Sequence, residues 1–189
     1  MPWSETLRKK ITDENDLADE LTHLYTSHTG ISRDAKFCKY YIGGLGQRYI
    51  DSNFKNGNPR RIEIWNIVSE AVYNIIKTDF PKFIDEDKKL VIGNMKKDRP
   101  LLKQLRYEHI IPTGLIHNRC LELAKEGKMN RENALKIMEC INIALVTVEE
   151  DEALTKAGLR DKLPEGYDPT FSDLGLCRYE KAGIILHKW

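Results

Sequence analysis

The sequence predicts a mainly α protein: a helical domain with a small two-stranded β element, closed by a helix, in its C-terminal half. Three observations predict this. Apolar residues recur at helical spacing through most of the first two-thirds of the chain. Two short β-branched runs, 107–111 and 142–147, read instead as strands. Turn and cap residues, among them Asn130 and Thr147, sit where these segments change.

The helical pattern begins at 13–28. Asp13 is a plausible N-cap, Leu17, Leu21, Leu24 and Tyr25 follow at helical spacing, and Gly30 ends the element. Residues 33–51 hold Phe37, Tyr40, Tyr41, Leu45, Tyr49 and Ile50, broken by Gly43, Gly44 and Gly46. That reads as a helix-loop-helix or an irregular aromatic segment. Asn56-Gly57-Asn58-Pro59 is the clearest break in the first half. A well-buried helix is expected over 62–76, from Ile64, Trp65, Val68, Val72 and Ile75, stopping before Phe80-Pro81. The charged passage 85–99, closed by Pro100, reads as a short helix and a solvated loop.

The second half is more sharply punctuated. Pro112 and Gly114 precede a helix at 115–126, and Asn130 caps another at 131–140. Residues 142–147 are a short apolar run, as a buried strand would be. Thr147 then caps a helix over 148–157 that carries Glu149, Glu150 and Asp151 in its first turn and ends at Gly158. The rest is rich in loop residues until 179–186, a short element that packs back on the core. Residues 1–100 form a helical region and 101–189 an α+β region carrying the candidate site, the two making one compact unit.

Composition sets limits. The chain has 189 residues, 30 basic and 29 acidic, for a formal charge of +1. Bulk charge therefore does not drive nucleic-acid binding, although local patches can. No apolar run approaches the ~20 residues of a membrane span, and the N-terminal residues lack the apolar core of a signal peptide. The expectation is a soluble, cytoplasmic protein with no membrane partner. Cys38, Cys120, Cys140 and Cys177 form no CxxC pair and read as reduced thiols. His117 and Cys120 would share a helix face, with Cys140 as a third donor, but structural zinc usually needs two close pairs and is not expected.

Two features bear on chemistry. The first is Arg106-Tyr107-Glu108-His109-Ile110-Ile111-Pro112. On a strand Glu108 and His109 point to opposite faces, yet a twisted strand end can bring both to one rim. The proline fixes the loop that follows. An acidic residue beside a histidine, then two apolar residues and a proline, resembles the end of the first strand in HNH, or ββα-metal, nucleases. The resemblance covers about 105–157.

That resemblance implies that Glu108 ligands a divalent metal, Mg or Mn, and that His109 is the general base that activates water. It also implies a second strand and a helix, which 142–147 and 148–157 fit, with Glu150 or Asp151 as a second ligand. Asn142 or Asn118 would take the part of the family's asparagine and Asp151 that of its final histidine. Helical patterns between the expected strands replace the family's short loop. The plain alternative is a half-buried, hydrogen-bonded Glu-His pair, with the acids of 149–152 serving the helix start.

The second feature is the segment 33–61. Arg33, Lys36, Lys39, Arg48, Lys55, Arg60 and Arg61 face only Asp34 and Asp51, with five aromatic residues between them. Basic groups neutralise phosphates, rings stack on unpaired bases, and glycines admit the backbone. A buried aromatic core with a solvated basic edge gives the same pattern. Arg178 would either reach a phosphate beside His109 or pair with an acid of 149–152.

Two classes of function follow. One is an HNH-like, metal-dependent endonuclease of phage or defence origin. The other is a non-catalytic, mostly helical protein that binds nucleic acid or acts as an inhibitor or adaptor. A helical ribonuclease toxin ranks last, because Arg106 and His109 are too close for its arginine-histidine motif. The apolar helix at 62–76 could support a homodimer or simply be core.

Overall fold

The structure, a computed structural model, describes residues 14–26, 67–85, 98–166 and 176–188. The described part combines helices with a four-stranded mixed sheet, so the two-stranded expectation is too small.

Three helices form one layer: α1 (Glu14–Thr26), α4 (Thr113–Lys125) and α5 (Arg131–Glu139). Their apolar stripes meet in a core containing Leu21, Leu24, Tyr25, Ile116, Cys120, Leu123, Ile137 and Met138. Asn130 caps α5 as expected, its side-chain oxygen accepting from the Asn133 backbone N–H at 3.0 Å. An exposed ion pair from Arg131 to Asp19 ties α5 to α1.

The sheet has the order β2-β3-β1-β4, with β1 Ile67–Ser69, β2 Leu105–His109, β3 Ile143–Thr147 and β4 Leu186–Lys188. β1 runs parallel to β3, while β2 is antiparallel to β3 and β4 antiparallel to β1. Every residue of the central strand β3 is buried. This is why 142–147 reads as a continuous apolar run and not as an alternating one. β1 and β3 lie on either side of residue 100, so one sheet joins the two regions separated in the sequence reading.

The sheet divides two further cores. On one face Val68, Leu105, Ile143 and Leu145 pack against α2 (Glu70–Asp79), the 3-10 turn Pro81–Phe83 and α3 (Arg99–Gln104). On the other, Ile67, Ala144 and Val146 meet α6 (Val148–Lys156), Leu159 and α7 (Cys177–Lys181). Gly158 ends α6 at φ +69°, with Leu159 N–H donating to Leu154 O at 2.9 Å. That positive φ is why the predicted stop holds a glycine.

Three expectations need correction. Residues 67–69 are strand, not helix. The β-branched Ile67-Val68 pair joins the sheet, and Ser69 caps α2 by accepting from the Val72 N–H at 3.2 Å. The strand expected at 107–111 spans 105–109 instead, because residues 99–104 form α3, started by Asp98 at the N-cap and Pro100 in the first turn, and Ile110 and Ile111 turn into the cores. The C-terminal element is two pieces, α7 and the strand β4, with Gly183 between them at φ +74°. No helix among the described residues is long and apolar enough to cross a membrane.

Candidate functional site

β2 lies at an edge of the sheet, and its register sorts the Glu-His motif between the two faces. Glu108 stands opposite Ala144 and His109 opposite Ile143. Directly paired residues share a face, so Glu108 faces α6 and α7 while His109 takes the side of α2 and α3. The ladder continues past the strand, with Ile110 N–H donating to Asn142 O at 2.9 Å. Ile110 then enters the core under α6, Ile111 enters the helical core, and Pro112 is buried before α4. The apolar half of the motif thus joins two cores.

Glu108 is held from the far end of the chain. Arg178, on α7 and 0 % exposed, donates from Nη2 to Glu108 Oε1, while the glutamate side chain keeps 20 % exposure. Oε2 makes no hydrogen bond among the described residues. Burial pushes the Glu108 carboxyl above its ordinary value against the pull of Arg178. Asp151 adds a further upward push, and Arg160 a downward one.

His109 is shifted the other way. Burial lowers its pKa, and the Arg178 charge lowers it further, so the imidazole is kept neutral. Its Nδ1 is buried without a hydrogen-bond partner among the described residues, as are Arg178 Nε and Nη1 and the Tyr179 hydroxyl. Burial raises the Tyr179 pKa well above that of an ordinary phenol.

The acids of 149–152 play different parts. Glu150 completes a capping box: its Oε2 accepts from Thr147 N–H at 2.8 Å, and Glu150 N–H donates to Thr147 Oγ1 at 3.2 Å. The same Oε2 accepts from Ser69 Oγ at 2.5 Å. Glu150 is therefore bound into the helix start through Oε2, while Oε1 makes no hydrogen bond among the described residues. Glu149 and Glu152 are exposed, and Glu152 pairs with Lys156 at 3.7 Å. Asp151 is half-buried and makes no side-chain hydrogen bond or ion pair among the described residues, yet its charge reaches both Glu108 and Tyr179.

Arg178 also differs from expectation. It is buried against Glu108 and pairs with no acid of 149–152. Nothing in the sequence pattern links residues 108 and 178, and the part of Tyr179 goes unsignalled for the same reason. Arg33, Lys36, Lys39, Arg48, Lys55, Arg60 and Arg61 lie outside the described residues, as do the first five residues of the expected 62–76 helix.

Two of the three donors considered for zinc make other hydrogen bonds. His117 Nδ1 shares a buried hydrogen bond of 2.7 Å with the Tyr25 hydroxyl, and Cys140 Sγ donates to Lys136 O at 3.2 Å. Of the two candidate asparagines, Asn118 is exposed on α4, and Asn142 accepts the Ile110 amide through its carbonyl. No group of three or more His, Cys, Asp and Glu side chains among the described residues is arranged to enclose a metal ion. A cleft of about 370 Å³ runs along α7 and β4, lined by Tyr179, Ile184 and Leu186 but by neither Glu108 nor His109.

No family model, curated protein or solved structure matches this chain.

Proposed function

We propose that this protein is a metal-dependent nuclease of HNH-like type, with His109 as general base and Glu108 and Asp151 as the acidic ligands. The observation that carries the reading is the geometry of Glu108, a half-buried carboxylate whose Oε1 is held by the buried Arg178 and whose Oε2 makes no hydrogen bond among the described residues. Glu108 and Asp151 each keep a carboxylate oxygen free of hydrogen bonds among the described residues, and such oxygens suit a hard divalent cation. Mg²⁺ commonly needs only one or two carboxylates because it keeps several waters, so the small donor set fits. Bound there, such an ion supplies positive charge to the phosphate oxygens of the substrate.

The protein's own groups support the rest. A neutral imidazole can accept a proton from water, and burial together with Arg178 keeps His109 neutral. His109 and Glu108 leave the edge strand β2 on opposite faces, so the reading requires a substrate that reaches both around the sheet edge. β2 and β3 pair antiparallel although α4 and α5 lie between them in the chain, and α6 starts directly after β3, which supports a ββα-like reading.

The test is incubation with supercoiled plasmid and with RNA in Mg²⁺, Mn²⁺ or EDTA. Metal-dependent cleavage lost in H109A supports the reading. A folded protein that cuts no substrate with any metal overturns it. An oligonucleotide shift without cleavage would favour a binding protein that uses the basic segment 33–61.

A further inference from the structure

We infer that Arg178 is a positioning residue: it fixes Oε1 of Glu108 so that Oε2 is the oxygen offered to the divalent cation. The inference rests on the metal reading of Glu108 and adds a residue that acts through it.

The argument begins with burial. A guanidinium with 0 % exposure is not a surface phosphate contact, because no phosphate reaches it without opening the fold. Its backbone is held firmly. Tyr179 lies in the core under the sheet, Ile184 N–H donates to Tyr179 O at 2.8 Å, and β4 pairs with β1 just beyond. The side chain therefore delivers a fixed donor to Glu108 from 70 residues away.

Stability does not explain the pair well. A buried ion pair is often no more stable than apolar residues of the same volume. Here Nε and Nη1 are also left unpartnered among the described residues, which raises the energetic penalty. The arrangement does accomplish one thing. It restrains a carboxylate at a sheet edge through one oxygen and leaves the other uncommitted. Groups that orient a metal ligand in this way commonly change metal affinity about 10- to 100-fold when removed.

Charge makes the test decisive. If Arg178 acted only through its charge, deleting it would tighten cation binding; if it positions Glu108, deletion weakens binding. Mn²⁺ affinity is measured by calorimetry for the full chain and for E108Q, R178M and R178K, with circular dichroism confirming the fold. The expected result is loss of binding in E108Q, roughly tenfold weaker binding in R178M, and a smaller loss in R178K. Folded R178M that binds Mn²⁺ as tightly as the unaltered protein, or more tightly, overturns the inference while leaving Glu108 as a ligand. Should R178M not fold, R178K decides, and unchanged affinity overturns the inference. If E108Q binds as the unaltered protein does, the metal reading fails and the inference with it.

Discussion

The Ser69 hydroxyl donates to Glu150 Oε2 at 2.5 Å across 81 residues of sequence. Ser69 ends β1 and caps α2, and Glu150 closes the capping box of α6 directly after β3. Because β1 and β3 are parallel neighbours, two helices start side by side at one end of the sheet. A single carboxylate at these starts accepts from Thr147 N–H and from Ser69 Oγ. Negative charge is favourable beside helix N-termini, so this link stabilises both helices.

Ser69→Ala removes a cap and a donor at a fully buried position. We expect a loss of about 1–3 kcal/mol in urea unfolding, from the missing cap and hydrogen bond together. A change below about 0.3 kcal/mol, the size of a helix-surface pair, would show that the link carries no stability.

Glu150→Ala should separate structure from metal binding. Loss of the capping box and of the Ser69 contact is expected to lower stability by about 1–2 kcal/mol. Mn²⁺ affinity in the folded variant should stay within about twofold, well short of the 10- to 100-fold that follows removal of a group orienting a ligand. Binding that collapses in this variant would return Glu150 to the ligand set.

The pH dependence follows from His109. Its folded pKa lies below the ordinary 6.5, chiefly through burial. Below pH 6.5 the unfolded chain therefore takes up a proton that the folded chain resists. The contribution of this group is complete above pH 6.5 and is lost as pH falls from there through the lowered folded value. Glu108 has the opposite sign. Its folded pKa is raised above 4.5, so its contribution is complete below 4.5 and is lost as pH rises through the folded value. An NMR titration of His109 should give a midpoint below 6.5, and any cleavage activity should show its acid limb there too. A midpoint at or above the ordinary value would contradict the burial argument.

The helical layer offers a contrast of mechanism. Leu21 is fully buried between α1 and its neighbours, so Leu21→Ala should cost about 2–5 kcal/mol through transfer and cavity terms. Asp19→Ala breaks the bidentate pair with Arg131, but both side chains are about half exposed. Its expected cost is within about 1 kcal/mol and shrinks in high salt. Equal losses in the two variants would show that the α1–α5 contact is electrostatic and not apolar.

What could be read from the sequence was local. α1, α4, α5, β3 and α6 lie within a few residues of their expected places, because periodicity and the caps Asn130 and Thr147 act within one or two turns. The opposite orientation of Glu108 and His109 was equally legible, since it follows from the two-residue period of any strand. Residues 67–69 misled because Ile67 and Val68 fit a helical apolar stripe, and only a parallel partner in β3 makes them strand. The three-residue β4 is too short to carry a pattern and exists only because β1 offers it an edge.

The site itself belongs to the tertiary structure. No spacing rule brings Arg178 to Glu108 or Ser69 to Glu150, because each pair depends on which strands pair and in what register. The sequence by itself determined α1, α4, α5 and α6, the central strand and the residue types at the strand end. The sheet order decided which carboxylate Arg178 holds and which one closes a helix cap. Local propensity acts through neighbours along the chain, whereas charge and burial act through neighbours in space.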